Sequence, residues 1–212
     1  MTVAAQNNFA VRGYVMAGGA SRRFGSDKAL ALIGSETLLA RMCKLVEAAT
    51  DKARIVAPCG RYLDSGFEVV EDRWPDEGPL GGIITALGAT EKDQNACQWN
   101  LMISCDMPFL TQRWLEFQCE RAKASDAEVI VPRSAHGMEP LCACWRTSTL
   151  GALQAAFDED IRKVTEAMKR LRMEILDETH WKRFDSDGRL FWNMNTPQDY
   201  QEAVRILQLE KA

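Results

Sequence analysis

The sequence is poor in histidine and has no excess of positive charge. It holds 2 histidines in 212 residues, and its 26 lysines and arginines are outnumbered by 30 aspartates and glutamates, for a net charge of −4. Such a chain has no general positive field that would attract nucleic acid or an acidic membrane surface. We therefore expect no nucleic acid partner, and we expect a local site to hold any bound phosphate.

The sequence also lacks the signals of export, membrane insertion and zinc binding. Residues 1–13 show no basic segment followed by an apolar one, and nowhere do about 18 apolar residues follow one another. These absences predict a cytoplasmic protein with no membrane partner. The 7 cysteines include no CxxC pair, and Cys142 and Cys144 complete no familiar zinc-ligand spacing with His136 or His180. We expect reduced, mostly buried thiols.

Hydrophobic periodicity predicts an α/β protein. From residue 11 onward, short apolar runs alternate with amphipathic helical patterns, which is typical of a mostly parallel central sheet with helices on both faces. Nothing in the sequence divides the chain, so we expect a single domain over residues 1–212. The predicted strands cover residues 13–17, 54–57, 67–70, 100–104 and 128–132. Helices are predicted over residues 38–49 and 83–89, after Thr111, over 161–171, where apolar residues share one face, and from Thr196 and Pro197 onward.

A glycine-rich loop follows the first predicted strand. Gly18, Gly19 and Gly25 allow a sharply bent backbone whose N–H groups can face an anion. The loop is neither a P-loop nor a G-x-G-x-x-G motif. A glycine-rich turn with solvated charges is the alternative, but so many donors directly after a strand favour a phosphate site. Those donors are Ser21, Arg22, Arg23 and Lys28.

A carboxylate ends the strongest predicted strand. Asp106 follows a fully apolar run, and Met-Pro directly after it forces a turn at the carboxyl edge of the sheet, where open α/β sheets bind ligands. A carboxylate beside nucleotide phosphates suits Mg²⁺, which prefers oxygen ligands. An aspartate that only caps the turn before Pro108 is the alternative. Together with the glycine-rich loop, the metal interpretation is favoured.

Three further segments carry weaker signals. Asp72 stands at another strand end, and Gly81 and Gly82 would let a base or ribose approach the loop after it, although an ordinary strand-to-helix turn explains them nearly as well. Asn193 and Asn195 precede a helix start, and alternation would direct both amides to one side. Surface asparagines before a helix are ordinary, so this pair means little without context.

These segments together resemble a known family. Their order and spacing over about residues 12–205 are similar to those of the molybdenum cofactor guanylyltransferases, also called the molybdopterin-guanine dinucleotide biosynthesis protein A family. The Asp27-Lys28 pair and the Asn-x-Asn-Thr-Pro segment resemble the guanylyl branch more than the cytidylyl one. The motifs are MAGGASRRFGSDKAL (16–30), DEGPLGG (76–82), ISCDMPFL (103–110), GMEPLCA (137–143) and NMNTPQDY (193–200).

The resemblance implies a Rossmann-like nucleotidyltransferase fold and a reaction. The family joins GMP from GTP to the terminal phosphate of molybdopterin and releases pyrophosphate, with Mg²⁺ as cofactor. Transient contact with molybdopterin-handling proteins is compatible with that reaction. One departure is visible, because RIVAPCG (54–60) lacks the asparagine that members can carry after the second strand. By resemblance, Met16, Ala17 and Gly18 would face the guanine and ribose, Lys28 the phosphates, Asp72 the guanosine, Asp106 the Mg²⁺, and Asn193 and Asn195 the molybdopterin.

The expected mechanism needs no covalent intermediate. The acceptor phosphate attacks the α-phosphorus of GTP in line with the departing pyrophosphate, so the protein aligns the groups and neutralises charge. Lys28, Arg23 and Mg²⁺ on Asp106 would supply positive charge, while Gly19, Ser21, Gly25 and Gly81 would help to bind the nucleotide. The alternatives are a nucleotidyltransferase for another acceptor or nucleotide, such as a cytidylyl-type pterin enzyme or a sugar-phosphate enzyme, and a nucleotide-binding regulatory or carrier protein without turnover.

Overall fold

The computed structural model describes residues 11–19, 27–93 and 97–209. All five strands expected from the sequence are present, with ends that differ by one or two residues. The strands are β1 (Val11–Met16), β2 (Leu32–Ile33), β3 (Glu36–Thr37), β4 (Lys52–Ala57), β5 (Glu68–Glu71), β6 (Trp99–Ser104), β7 (Val129–Ser134), β8 (Gly137–Met138), β9 (Cys142–Arg146) and β10 (Met173–Leu176).

Helices cover the segments between these strands. The α-helices are α1 (Leu38–Ala49), α2 (Pro79–Glu91), α3 (Gln112–Ala124), α4 (Leu150–Asp158), α5 (Val164–Ala167), α6 (Glu178–Trp181) and α7 (Pro197–Leu209). Single turns of 3-10 helix cover Lys28–Leu30, Thr147–Thr149, Met168–Arg170 and Lys182–Phe184. Of the helices in the described ranges, none is long and apolar enough to cross a membrane.

One sheet organises the fold, in the order β10, β7, β9, β6, β1, β4, β5, with β8 attached to β7. The pairs of β1 with β4 and β6, of β4 with β5, and of β7 with β10 are parallel. Strand β9 runs antiparallel between β6 and β7. The prediction of a mostly parallel sheet is therefore confirmed, and β9 is the one central exception.

Two apolar layers lie on opposite faces of the sheet. Alternation along β9 sends Cys142 and Cys144 to the layer beneath α1 and α3, and sends Ala143 and Trp145 to the layer beneath α2 and α4. Because both faces are covered, all six residues of β1 are buried. The predicted arrangement of helices on both faces is confirmed. All 7 cysteines are free thiols, and all but Cys59 are buried.

Local sequence explains where the helices begin. The hydroxyl of Thr37 accepts from the Ala40 N–H at 3.2 Å, and that of Thr111 accepts from the Trp114 N–H at 3.3 Å, so both residues cap helices. Glycine allows α1 to approach the sheet, since a Cβ at Gly13 would lie 2.1 Å from Val46 Cγ1.

The expectation of a helix over 161–171 is only partly correct. Val164, Ala167, Met168 and Leu171 are buried, as the spacing predicts. Only Val164–Ala167 is α-helical, however, and a 3-10 turn follows it. The helix ends because Leu171 is extended and leads into β10, where pairing with β7 stabilises the strand. Neither α4 nor β10 was expected from the sequence.

Candidate active site

A cleft of about 520 Å³ lies at the carboxyl ends of β1, β4, β5 and β6. It brings together residues that are far apart in the sequence, as expected for a site at this edge of an open sheet. Among the residues predicted from the sequence, those lining the cleft are Met16, Ala17, Gly18, Gly19, Lys28, Asp72, Gly82 and Asp106.

Lys28 and Asp106 form an ion pair at the floor of this cleft. Lys28 Nζ lies 2.6 Å from Asp106 Oδ2, and the Ser104 hydroxyl donates to Asp106 Oδ1 at 2.5 Å. Both charged side chains are largely buried, with 16% and 13% of their surfaces exposed. The Asp106 carboxylate therefore accepts from two side chains of the cleft, and not from the turn before Pro108 as a capping residue would.

The backbone of Met194 makes hydrogen bonds to both residues of the ion pair. The N–H of Met194 donates to the Asp106 carbonyl at 2.8 Å, and Lys28 Nζ reaches the Met194 carbonyl at 3.5 Å. Met194 itself is completely buried. The two asparagines beside it, Asn193 and Asn195, line a second cavity of about 750 Å³. The predicted alternation is confirmed, because Met194 points inward while its two neighbours face the second cavity.

The second cavity combines aromatic and polar groups. Trp181, Phe191 and Trp192 contribute rings, and Glu139 contributes a carboxylate that accepts from the Ser134 hydroxyl at 2.6 Å. Burial raises the pKa of Glu139 above its ordinary value. This cavity could hold a flat, polar ring system beside the Lys28–Asp106 pair.

Asp72 presents one carboxylate oxygen to the first cleft. Its Oδ1 accepts from the Trp74 N–H at 3.1 Å and from the Thr85 hydroxyl at 3.3 Å. Its Oδ2 would lie 3.5 Å from a Cβ on Gly18 and 3.9 Å from one on Gly82. The two glycines therefore leave space beside Oδ2 for a ligand that donates hydrogen bonds.

Gly82, rather than Gly81, faces the cleft. A Cβ on Gly82 would lie 2.6 Å from the terminal methyl of Met16, a residue of the cleft wall. A Cβ on Gly81 would instead lie 3.0 Å from Trp74 Cβ, and Gly81 is not among the residues that line the cleft. The sequence suggested both glycines as part of a loop before a helix over 83–89. In the structure α2 begins earlier, at Pro79, so both glycines lie in its first turn, and the side of the helix that each occupies decides which one faces the cleft.

Some predicted residues cannot be placed, and others were missed. Ser21, Arg22, Arg23 and Gly25 lie outside the described residues. Ser104, Asp27 and Tyr62 line the cleft but were not predicted as site residues. Asp27 could have been found from its place beside Lys28 in the first motif, whereas Tyr62 lies in the loop between β4 and β5, outside every motif, and has no such signal.

The thiol beside Asp106 is not set up as a nucleophile. Burial and then the neighbouring Asp106 carboxylate raise the pKa of Cys105 to about 12, so the thiol is protonated at neutral pH. Both histidines lie in the described part of the chain, and neither lines the first cleft. Among the residues that the structure describes, those of the cleft are thus suited to binding and charge neutralisation, and Cys105 is not activated for covalent catalysis.

Comparisons with known proteins show which family the chain belongs to. The model of the MobA-like NTP transferase domain matches residues 13–173. A protein of Nitrobacter hamburgensis named molybdenum cofactor guanylyltransferase is 31% identical over 205 residues, which cover 94% of this chain and 95% of that protein. One of the same name from Syntrophotalea carbinolica is 27% identical over 189 residues, covering 89% and 88% of the two chains.

A solved structure shows the same fold. The crystal structure of molybdopterin-guanine dinucleotide biosynthesis protein A from Archaeoglobus fulgidus superposes with a TM-score of 0.80 at 22% identity, covering 94% of this chain and all of that one. The expected Rossmann-like nucleotidyltransferase fold is therefore confirmed, as is the resemblance that the motifs carry. The chain belongs to the family of MobA-like NTP transferase domains and is a nucleotidyltransferase.

Proposed function

We propose that this protein transfers GMP from GTP to the terminal phosphate of molybdopterin and releases pyrophosphate. One observation carries the proposal. The Lys28–Asp106 pair lies in the nucleotide-sized cleft, and it contacts the backbone of Met194, whose two neighbours line the second cavity. The second cavity thus lies next to the backbone segment that contacts this charged pair. The names of the relatives from Nitrobacter and Syntrophotalea support this choice of substrates.

The first cleft has the properties that a guanine nucleotide requires. Guanine offers an N1–H and an exocyclic amine, and the Oδ2 of Asp72 is an acceptor beside the space that Gly18 leaves. Guanine has two adjacent donors at this edge and cytosine only its exocyclic amine, and this difference in hydrogen bonding favours GTP over CTP. Lys28 at the cleft floor would bind the phosphates.

Asp106 fits a role as a magnesium ligand. Within the described ranges, no group of three or more histidine, cysteine, aspartate or glutamate side chains could hold a metal ion alone. Mg²⁺ is commonly bound by one or two carboxylates together with substrate phosphates, and Asp106 supplies a carboxylate in the cleft. When bound there, Mg²⁺ would supply positive charge against the phosphoryl oxygens.

The chain's own residues would align the substrates and hold charge. An oxygen of the acceptor phosphate attacks the α-phosphorus of GTP, the bond from that phosphorus to the bridging oxygen breaks, and pyrophosphate leaves. The ammonium of Lys28 offsets the charge that develops on the phosphate oxygens. A phosphate monoester has a second pKa of about 6, so the attacking oxygen needs no general base at neutral pH.

The proposal is tested by measuring pyrophosphate release from the purified protein with Mg²⁺, GTP and molybdopterin. We expect release only when all three are present, with GTP preferred over CTP and ATP. Equal activity with CTP would favour a cytidylyl-type enzyme, and activity only with a sugar phosphate would favour another acceptor. Tight GTP binding without any release would favour a carrier or regulatory protein.

A further inference from the structure

The hydroxyl of Tyr62 contacts both ends of the glycine-rich loop. It lies 2.8 and 3.0 Å from the two carboxylate oxygens of Asp27, which ends the loop, and 3.4 Å from the carbonyl of Ala17, which begins it. A phenol has one proton to donate. The shorter distances assign that proton to the Asp27 carboxylate.

Asp27 in turn holds the turn that carries Lys28. Its Oδ1 accepts from the Ala29 N–H at 3.1 Å, so the side chain caps the 3-10 turn that begins at Lys28. The guanidinium of Arg61 also pairs with Asp27 Oδ2. Arg61 and Tyr62 of the loop between β4 and β5 therefore both contact the turn that carries Lys28, through the carboxylate of Asp27.

The backbone of Tyr62 is held in an unfavourable conformation. Its φ is +59°, in the left-handed region that residues other than glycine seldom adopt. Such a conformation persists where surrounding contacts determine it, and it is found most often at functional sites. Here the Tyr62 carbonyl accepts from the Ser65 N–H at 3.0 Å, while the ring lines the cleft.

We propose that Tyr62 is a positioning residue of the transfer reaction: by donating to Asp27 it fixes the turn that directs Lys28 toward Asp106 and the nucleotide phosphates. The proposal rests on the proposed function and adds a residue from outside the five motifs of the family resemblance. Burial, followed by the hydrogen bond to Asp27, raises the pKa of the Tyr62 phenol, so it remains a donor throughout the usual pH range of an assay.

Replacement of each tyrosine by phenylalanine provides the kinetic test. The chain has 3 tyrosines, all in the described part, and each hydroxyl makes a hydrogen bond. Tyr14 bonds to Thr90 in the core, and Tyr200 donates to the Leu32 carbonyl. We expect Tyr62→Phe to lower kcat/KM for GTP about tenfold or more, and to change the KM for molybdopterin less than twofold.

The two other variants control for stability and for the loss of a hydroxyl. Tyr14→Phe should lose thermal stability to a similar or greater extent, because its hydroxyl is bonded in the core. Both Tyr14→Phe and Tyr200→Phe should keep kcat/KM for GTP within about twofold. A Tyr62→Phe variant with normal kinetics, or one whose kinetic loss is matched by Tyr14→Phe at equal stability, would overturn the proposal.

A double-mutant cycle tests whether Tyr62 acts through Asp27. In an Asp27→Ala background, Tyr62→Phe should have less than about a twofold further effect on kcat/KM, because the acceptor of its hydrogen bond is already gone. Multiplicative effects of the two changes would show that the phenol acts directly on the nucleotide, which contradicts a positioning role through Asp27.

Amide hydrogen exchange without substrate separates this proposal from the proposed function. The N–H groups of Ala29, Leu30 and Ala31 are bonded to Asp27 and Lys28 at 3.1 Å each. We expect them to exchange several-fold faster in Tyr62→Phe than in the wild type or in Tyr14→Phe. Unchanged exchange would overturn the positioning role even if the enzyme transfers GMP, and faster exchange would support it even if the nucleotide proved to be another.

Discussion

Lys28 and Asp106 are separated by 78 residues in the sequence, and their charged atoms lie 2.6 Å apart in the cleft. The pair joins the two segments whose sequences carry the clearest chemical signals. In this arrangement each charge compensates the other before any nucleotide binds, which limits the cost of burying both. When the substrates bind, their phosphates would pair with Lys28 and a cation would pair with Asp106, in place of the contact between these two side chains.

Removal of the lysine ammonium should impair turnover without unfolding the protein. We expect Lys28→Ala to lower kcat by at least about a hundredfold, because the cation that offsets charge on the phosphates is lost. Lys44→Ala is the control, since Lys44 pairs with Glu36 on the exposed surface. Steady-state kinetics and a circular dichroism melt of both variants measure the effect, and a normal turnover number for Lys28→Ala would exclude the role.

Replacement of Asp106 by asparagine should abolish Mg²⁺-dependent transfer. An amide is a much poorer ligand for a hard dication than a carboxylate. Asp177→Asn is a matched control, because Asp177 caps α6 by accepting from the Thr179 N–H. Titration of Mg²⁺ in the transfer assay measures the effect. If Asp106 only stabilised its turn, the Asn variant would keep normal activity and a normal Mg²⁺ dependence.

Asn193 and Asn195, which line the second cavity, should bind the acceptor molybdopterin and not GTP. We expect Asn195→Ala to raise the apparent KM for molybdopterin several-fold, because its amide lines the second cavity and not the first cleft. Its GTP affinity should change less than about twofold in a calorimetric titration. A large loss of GTP affinity would instead assign this residue to the nucleotide.

Two glycines of α2 should respond differently to alanine. A Cβ at Gly82 would displace the Met16 side chain, so Gly82→Ala should weaken GTP binding several-fold. Gly88 lies on the same helix, and a Cβ there would meet no described atom within 4 Å. Gly88→Ala should therefore keep GTP affinity and raise the unfolding temperature by about 2–4 °C, because alanine favours a helix over glycine by about 1 kcal/mol. Equal GTP affinity in both variants would contradict the assignment of Gly82 to the cleft wall.

A charged pair away from the cleft, Arg54 of β4 and Asp93 after α2, stabilises the fold. Arg54 donates to Asp93 at 2.7 Å, and this hydrogen bond holds the pKa of Asp93 below its ordinary value. A lowered folded-state pKa adds stability above the unfolded value of about 4, and that stability is lost as pH falls through the folded value. The free energy of unfolding should thus fall as the pH drops below about 5. The Asp93→Asn variant should show a smaller fall, and an identical pH dependence would exclude the contribution.

The sequence predicted the parts of the fold that depend on local pattern. The buried strands and the cap at Thr111 follow from hydrophobic periodicity and residue type. Strand β9 was not expected as a partner of β6 and β7, because its antiparallel placement is decided by long-range pairing. For the same reason the 161–171 segment keeps its buried face but only part of its expected helix.

The residues of the site divide in the same way, into those that local sequence predicts and those that depend on long-range contacts. Lys28, Asp72 and Asp106 could be predicted because each stands at a motif or strand end that parallel topology carries to one edge. Tyr62 could not, since its role depends on a hydroxyl reaching Asp27 across 35 residues of sequence. The difference between Gly81 and Gly82 likewise depends on the side of α2 that each occupies.

The most direct test of the central claim follows the α-phosphate of GTP. Wild-type protein is incubated with Mg²⁺, molybdopterin and GTP labelled at either the α- or the γ-phosphate, and the products are separated. The account predicts that the α-label appears in the pterin product and the γ-label in pyrophosphate, and that Lys28→Ala reduces both together. Absence of the α-label from the pterin product, or equal labelling from CTP, would contradict it.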